Sequence, residues 1–181
     1  MQSLKPTKTI VLLTSIMVLG ACQSNKQIEN SFNETYLKNS VDLTFSSPNF
    51  SALHAPPLMS GFAYVETYEK SAFCDDKDDE IATQIGKVTI TRANKSQFSK
   101  LPIGNIVANI GYYAIGATGG GLKGNSLYGF RVEPDSKYKI TITEARPLVT
   151  SYSVSIVRSR EDGSQEEVAV ADGIEAICTT E

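Results

Sequence analysis

Residues 103–124, IGNIVANIGYYAIGATGGGLKG, decide the fold, because they carry two periodicities at once and no charge before Lys123. Ile103, Ile106, Val107, Ile110 and Ala114 have helical spacing, and Gly116, Gly120 and Gly124 recur every four residues. That small-xxx-small pattern lets helices approach closely in a membrane. Ile106, Ala108, Ile110, Tyr112 and Ala114 also alternate, and Pro102 with Gly104-Asn105 reads as a turn leading into a strand. Gly116, Gly119, Gly120 and Gly121 would each cost a helix about 1 kcal/mol. The expectation is a long buried strand followed by a Gly-rich loop, with a helix over 103–118 as the alternative.

Outward from this stretch, period-two alternation repeats. Residues 61–68 (GFAYVETY) set Phe62, Tyr64, Glu66 and Tyr68 against Ala63, Val65 and Thr67. Residues 87–92 (KVTITR), 126–132, 138–143, 152–157 and 167–170 show the same habit. β-branched and aromatic residues at period two, bounded by turn residues, mark strands. The separators Pro134-Asp135-Ser136, Arg146-Pro147 and Glu161-Asp162-Gly163-Ser164 carry turn chemistry, the last between two strands as a hairpin requires. Short strands at this spacing predict an all-β fold: an antiparallel β-sandwich, with a small barrel as the alternative. Residues 79–84 alone suggest a helical turn.

The amino terminus has a different character. Lys5 and Lys8 form a positive segment without acids, followed by the apolar run of residues 10–19 (IVLLTSIMVL) and the small residues Gly20 and Ala21. This is the three-part secretory pattern. The run is about half the ~20 residues that a spanning helix needs.

Leu19-Gly20-Ala21-Cys22 resembles the lipobox of bacterial lipoproteins. The resemblance covers only the leader. It implies cleavage after residue 21, diacylglycerol on the Cys22 sulfur and an acyl chain on the new amino group. One chain binds a membrane marginally, whereas two or more hold a protein stably. Gln23, where an Asp would mean retention at the inner membrane, implies sorting to the outer membrane, with the domain periplasmic or surface-exposed.

Removing residues 1–21 takes away two lysines and no acid, so the mature chain is more acidic than the net charge of −3 over all 181 residues. Residues 23–40 are polar and rich in Asn, Ser and Gln, with too few apolar groups to offset the entropy of ordering. Residues 45–58 add three prolines that block regular hydrogen bonding. The expected organisation is therefore a leader over 1–21, a lipidated tether over 22–59 and the β domain over 60–181.

Three cysteines divide naturally in this compartment. With Cys22 lipidated, Cys74 and Cys178 remain, and thiols beyond the inner membrane usually pair. Such a bond would tie the start of the domain to its last strand, and the entropy model gives about 4–5 kcal/mol for so long a loop. Neither cysteine belongs to a C-x-x-C motif, and Asp75-Asp76 would raise rather than lower the pKa of Cys74.

The composition excludes several chemistries. A mildly acidic chain offers no basic footprint for nucleic acid. One histidine, His54, cannot build a multi-His metal centre, and it is the one possible base for a Ser triad in a chain without a Gly-x-Ser-x-Gly elbow. Residues 119–124 place Lys123 after glycines but lack the Gly-Lys-Ser/Thr ending of a phosphate loop. The weak calcium candidate is Asp75, Asp76, Asp78, Asp79 and Glu80, whose oxygens suit a hard cation although the spacing and missing Gly depart from an EF-hand. No catalytic residue and no cofactor is expected.

Phe130, Pro134 and Tyr138 resemble the Phe-x-x-x-Pro-x-x-x-Tyr hairpin of small β-sandwich lipoproteins of bacteria. The resemblance spans about a dozen residues and implies only the fold. The expected function is that of a non-enzymatic, lipid-anchored structural or interaction module with an envelope protein partner. The alternatives are a small-ligand binder or enzyme that uses the Gly-rich loop with Tyr112, Tyr113 and Tyr128, and an immunity or inhibitor lipoprotein.

Overall fold

The computed structural model describes residues 30–48, 60–75, 83–91, 93–115, 121–144 and 152–179. Residues 104–115 resolve as strand, and Ile103 is the bend before it. Gly104–Ile115 (β6) runs antiparallel to Ser60–Glu69 (β3) on one side and to Gly121–Val132 (β7) on the other. Ile106, Ala108, Ile110 and Tyr112 point into the core and are almost wholly buried, as the alternation demands.

Around this three-stranded centre, Gly86–Thr91 (β4) pairs with β3, Ser31–Phe32 (β1) pairs with β4, and Ala171–Asp172 (β11) pairs with β7. Sheet A therefore runs β1-β4-β3-β6-β7-β11. Sheet B runs β10-β9-β8-β2-β5 and is built from Gln165–Glu167 (β10), Tyr152–Arg160 (β9), Ser136–Glu144 (β8), Ser40–Ser46 (β2) and Ser96–Pro102 (β5). The inner faces of the two sheets meet in one cluster that includes Leu43, Phe45, Val65, Ile90, Ile110, Tyr138 and Ile140. The protein is an all-β sandwich and is not closed into a barrel.

The sandwich is not purely antiparallel. β2 lies parallel to β8, with Leu43 opposite Tyr138, and antiparallel to β5. This position also corrects the expected boundary at residue 60. Val41, Leu43 and Phe45 fill the core from β2, a strand paired on both sides, so residues 30–48 belong to the fold and not to a tether. Three apolar residues at period two bury enough surface to order a segment whose polar flanks suggested otherwise.

Phe130, Pro134 and Tyr138 do not form a hairpin. β7 belongs to sheet A and β8 to sheet B, so the turn between them carries the chain across the sandwich. Asp135 sits at φ 55°, and Ser136 Oγ donates to the Pro134 carbonyl at 3.2 Å. Residues 161–164 do make the β9–β10 hairpin, with Gly163 at φ 83° and Asp162 Oδ1 accepting from Ser164 N. Of the strand expected over 167–170, Glu167 ends the short β10 and residues 168–170 are irregular, with β11 following at Ala171.

Two short helices, Lys70–Asp75 (α1) and Ile174–Thr179 (α2), and the 3₁₀ turn Glu34–Asn39 complete the described fold. Of the helical turn expected over 79–84, Thr83 and Gln84 are irregular and the remainder lies outside the described residues. Within the described residues no helix is long and apolar enough to cross a membrane.

Candidate functional site

Alternation along β3 leaves one face of sheet A pointing away from the core, and the pairing register sorts its residues into rows. At one end Tyr68, Val107 and Gly129 lie side by side. Next come Lys87, Glu66, Asn109 and Leu127, then Thr89, Tyr64, Gly111 and Asn125. Thr91, Phe62, Tyr113 and Lys123 form the far row.

The first row is covered. Cys74 of α1 and Cys178 of α2 form a disulfide with Cα atoms 5.5 Å apart, so the bond joins two helices rather than reaching the last strand. Phe73 packs on Tyr68 with ring centroids 5.7 Å apart. Ile177 is 1% exposed and lies against Gly129, where an added Cβ would meet its side chain at 2.9 Å. The cysteine pair thus clips a helical cover onto this end of the sheet.

Beyond the clip the face is polar and ordered. The Glu66 carboxylate accepts from Lys87 Nζ at 2.7 Å, Asn109 Nδ2 at 3.0 Å and Tyr68 Oη at 3.3 Å. Asn109 Oδ1 in turn accepts from Asn125 Nδ2 at 3.1 Å. Side chains of β4, β3, β6 and β7 are thereby joined in one layer. Partial burial, and then the Glu66 charge, push the Tyr68 hydroxyl up to about 12. Burial first, and Glu66 next, raise Tyr64 as well, against a hydrogen bond with Asn109.

The far rows are aromatic. The Phe62 ring lies 5.7 Å from Tyr113 and 6.1 Å from Tyr64, at interplanar angles of 45° and 51°. Lys87 Nζ stands 5.5 Å from the Tyr64 centroid, a cation–π distance. Tyr64 leans across Gly111, where a Cβ would meet its hydroxyl at 2.8 Å and the Gly124 carbonyl at 2.4 Å. Glycine in mid-strand here admits the close approach of another group. Phe62, Tyr64 and Tyr113 each remain partly exposed.

Other expected site residues are distributed differently. Tyr112 points inward and meets Tyr152 edge-on at 5.5 Å, whereas its neighbour Tyr113 is on the outer face, and Tyr128 is half-buried on the inner side. Asp75 ends α1 as an exposed residue, while Asp76, Asp78, Asp79 and Glu80 lie outside the described residues, as do Cys22, His54 and residues 116–120. Among the described residues, no group of three or more His, Cys, Asp or Glu side chains is placed to hold a metal ion.

A second charged cluster lies at the end of the core near the β7–β8 crossover. Arg158 pairs with Glu133 and Glu166, and Arg160 reaches Glu166 at 3.0 Å. These hydrogen-bonded carboxylates hold Arg158 above the usual guanidinium range, and Arg158 in turn keeps Glu133 below the usual carboxylate range. Glu133 lies in the turn after β7, and Arg158, Arg160 and Glu166 lie in β9 and β10, so the cluster ties the crossover to the edge of sheet B.

The polar layer of sheet A was partly visible in the sequence: the alternation in residues 61–68 placed Phe62, Tyr64, Glu66 and Tyr68 on one face. Asn109 and Asn125 were not singled out, because register across strands, rather than any local pattern, brings them to Glu66. Compared with family models, with curated proteins and with solved structures, the chain matches none.

Proposed function

We propose that this chain is a lipid-anchored cell-envelope protein, held at the outer membrane through Cys22, whose β-sandwich is a non-enzymatic interaction module. The observation that carries this reading is the outer face of sheet A. There, side chains of four adjacent strands are joined into one layer beside a group of partly exposed rings. Such a surface is pre-organised: little side-chain freedom is left to lose on binding. The leader and the lipobox-like Leu19-Gly20-Ala21-Cys22 supply the anchor. An anchored domain meets an envelope partner at raised effective concentration, so that modest affinity suffices.

Mass spectrometry of the amino-terminal peptide tests the anchor. The expected result is cleavage before Cys22 with acyl and diacylglycerol masses on that residue, and release of a Cys22→Ser variant from the membrane fraction. An uncleaved, unacylated amino terminus would overturn the reading.

A further inference from the structure

We propose that the outer face of sheet A binds an uncharged glycan chain, stacked on Phe62 and Tyr113 and hydrogen-bonded by the amides beside them. The idea takes its biological setting from the interaction-module reading, but its chemistry stands on the face itself. Three features of that face choose this ligand class.

The first is the pairing of apolar plates with polar forks. A sugar ring has C–H faces and a rim of hydroxyls, so it needs an aromatic plane beneath and carboxamide or carboxylate groups alongside. Aromatic rings supply the apolar plane with little conformational freedom to lose. Phe62 and Tyr113 lie with centroids 5.7 Å apart, about one sugar unit, one row from Asn125 and two rows from Asn109. Lys87 stands over the Tyr64 ring, so Tyr64 acts as the wall of the platform rather than its floor.

The second feature is charge. Glu66, the one acid of the layer, is matched by Lys87 at 2.7 Å, and the other members are amides, hydroxyls and rings. Among the described residues of this face, the exposed cations are Lys123 in the far row and Arg131 beyond the covered row, at opposite ends of β7 and not gathered at the rings. An anionic polymer would call for several unmatched cations, which raise local potential and binding rate. A neutral polar chain calls for none.

The third feature is tilt. The rings meet at 45° and 51° and are not coplanar. A flat crystalline polysaccharide needs coplanar plates, whereas a single chain can turn with the sheet twist.

The test is titration of the full chain, purified in mild detergent, with chitohexaose, maltohexaose and hexagalacturonate, followed by calorimetry and tyrosine fluorescence. At least one of the two neutral sugars is expected to bind. Tyr113→Ala should weaken that binding by about tenfold or more, Tyr113→Phe, which keeps the ring, should bind like the native chain, and Lys139→Ala, on sheet B, should change nothing. Thermal melting of Tyr113→Ala checks that the domain is intact, and Phe62→Ala gives a second reading of the same platform. The proposal is overturned if neither neutral sugar binds at millimolar concentration, if Tyr113→Ala binds unchanged, or if hexagalacturonate binds most tightly with strong salt dependence. Binding by a chain whose Cys22 proves unacylated would keep the glycan site and remove the anchor. An acylated chain that binds no sugar would do the reverse.

Discussion

The hydroxyl of Tyr138 accepts a hydrogen bond from the backbone N–H of Glu133, five residues earlier, at 2.9 Å. Tyr138 is 1% exposed, and its ring lies 6.2 Å from Phe130. One side chain therefore fills the core between the sheets and also holds the turn by which the chain leaves sheet A for sheet B. Tyr138→Phe keeps the ring and removes the acceptor. Leaving a part-buried N–H unpaired should cost about 1–3 kcal/mol, read as a lower urea midpoint at constant slope. A midpoint equal to that of the native chain would show that the turn holds itself.

The clip makes a separate prediction. Replacing both Cys74 and Cys178 by Ala should lower stability by about 2–5 kcal/mol. Because α2 covers the first row of sheet A, hydrogen exchange should rise most along β7 near Gly129, where Ile177 packs. Uniform protection across the variant would mean that the helices hold without the bond.

Gly111 and Gly129 should differ in how they tolerate Ala. At Gly111 the added methyl would meet backbone, the Gly124 carbonyl at 2.4 Å, which cannot move without disturbing the ladder. At Gly129 it would meet the Ile177 side chain at 2.9 Å, on a short helix that can shift. Gly111→Ala should cost about 1–3 kcal/mol or more and Gly129→Ala less. Thermal melting decides the order, and the reverse order would contradict the assigned faces.

Tyr68 predicts a response to alkali. Its folded pKa is raised to about 12, from an ordinary value near 10. The folded state therefore favours the neutral phenol. That contribution to stability is complete below pH ~10 and is lost as pH rises through about 12. Tyrosinate absorbance should show a late-titrating group that is missing in Tyr68→Phe, and the variant should lose less stability over this window. Loss of a phenol that titrates near 10, with the late phase kept, would show that Tyr68 titrates like an exposed phenol.

How much of this was legible in the sequence depended on whether the signal was local. Residues 104–115 revealed their strand because alternating Ile106, Ala108, Ile110 and Tyr112 outweigh helical spacing once the glycines are counted. The 161–164 hairpin was legible because Asp162-Gly163 has its own turn chemistry. β2 was missed although Val41, Leu43 and Phe45 alternate, because polar residues precede it and prolines follow. β5 was missed because its outward residues, including Phe98 at 78% exposed, are not those of a half-buried strand. The Phe130–Tyr138 segment gave the turn but not its destination, since nothing local separates a hairpin from a crossover between sheets. Sites built across strands, such as Glu66 with Asn109 and Asn125, depend on register and stay hidden for the same reason.

A photo-crosslinking residue placed at position 113 and, in a second strain, at position 139 tests most directly whether the outer face of sheet A is the contact surface of an envelope module. Tyr113 lies beside Phe62 on that face, and Lys139 is exposed on the opposite sheet. In growing cells, irradiation should give an adduct from position 113, lost when Phe62 is also changed to Ala, and none from position 139. Adducts from position 139 alone, or from neither position, would contradict the account.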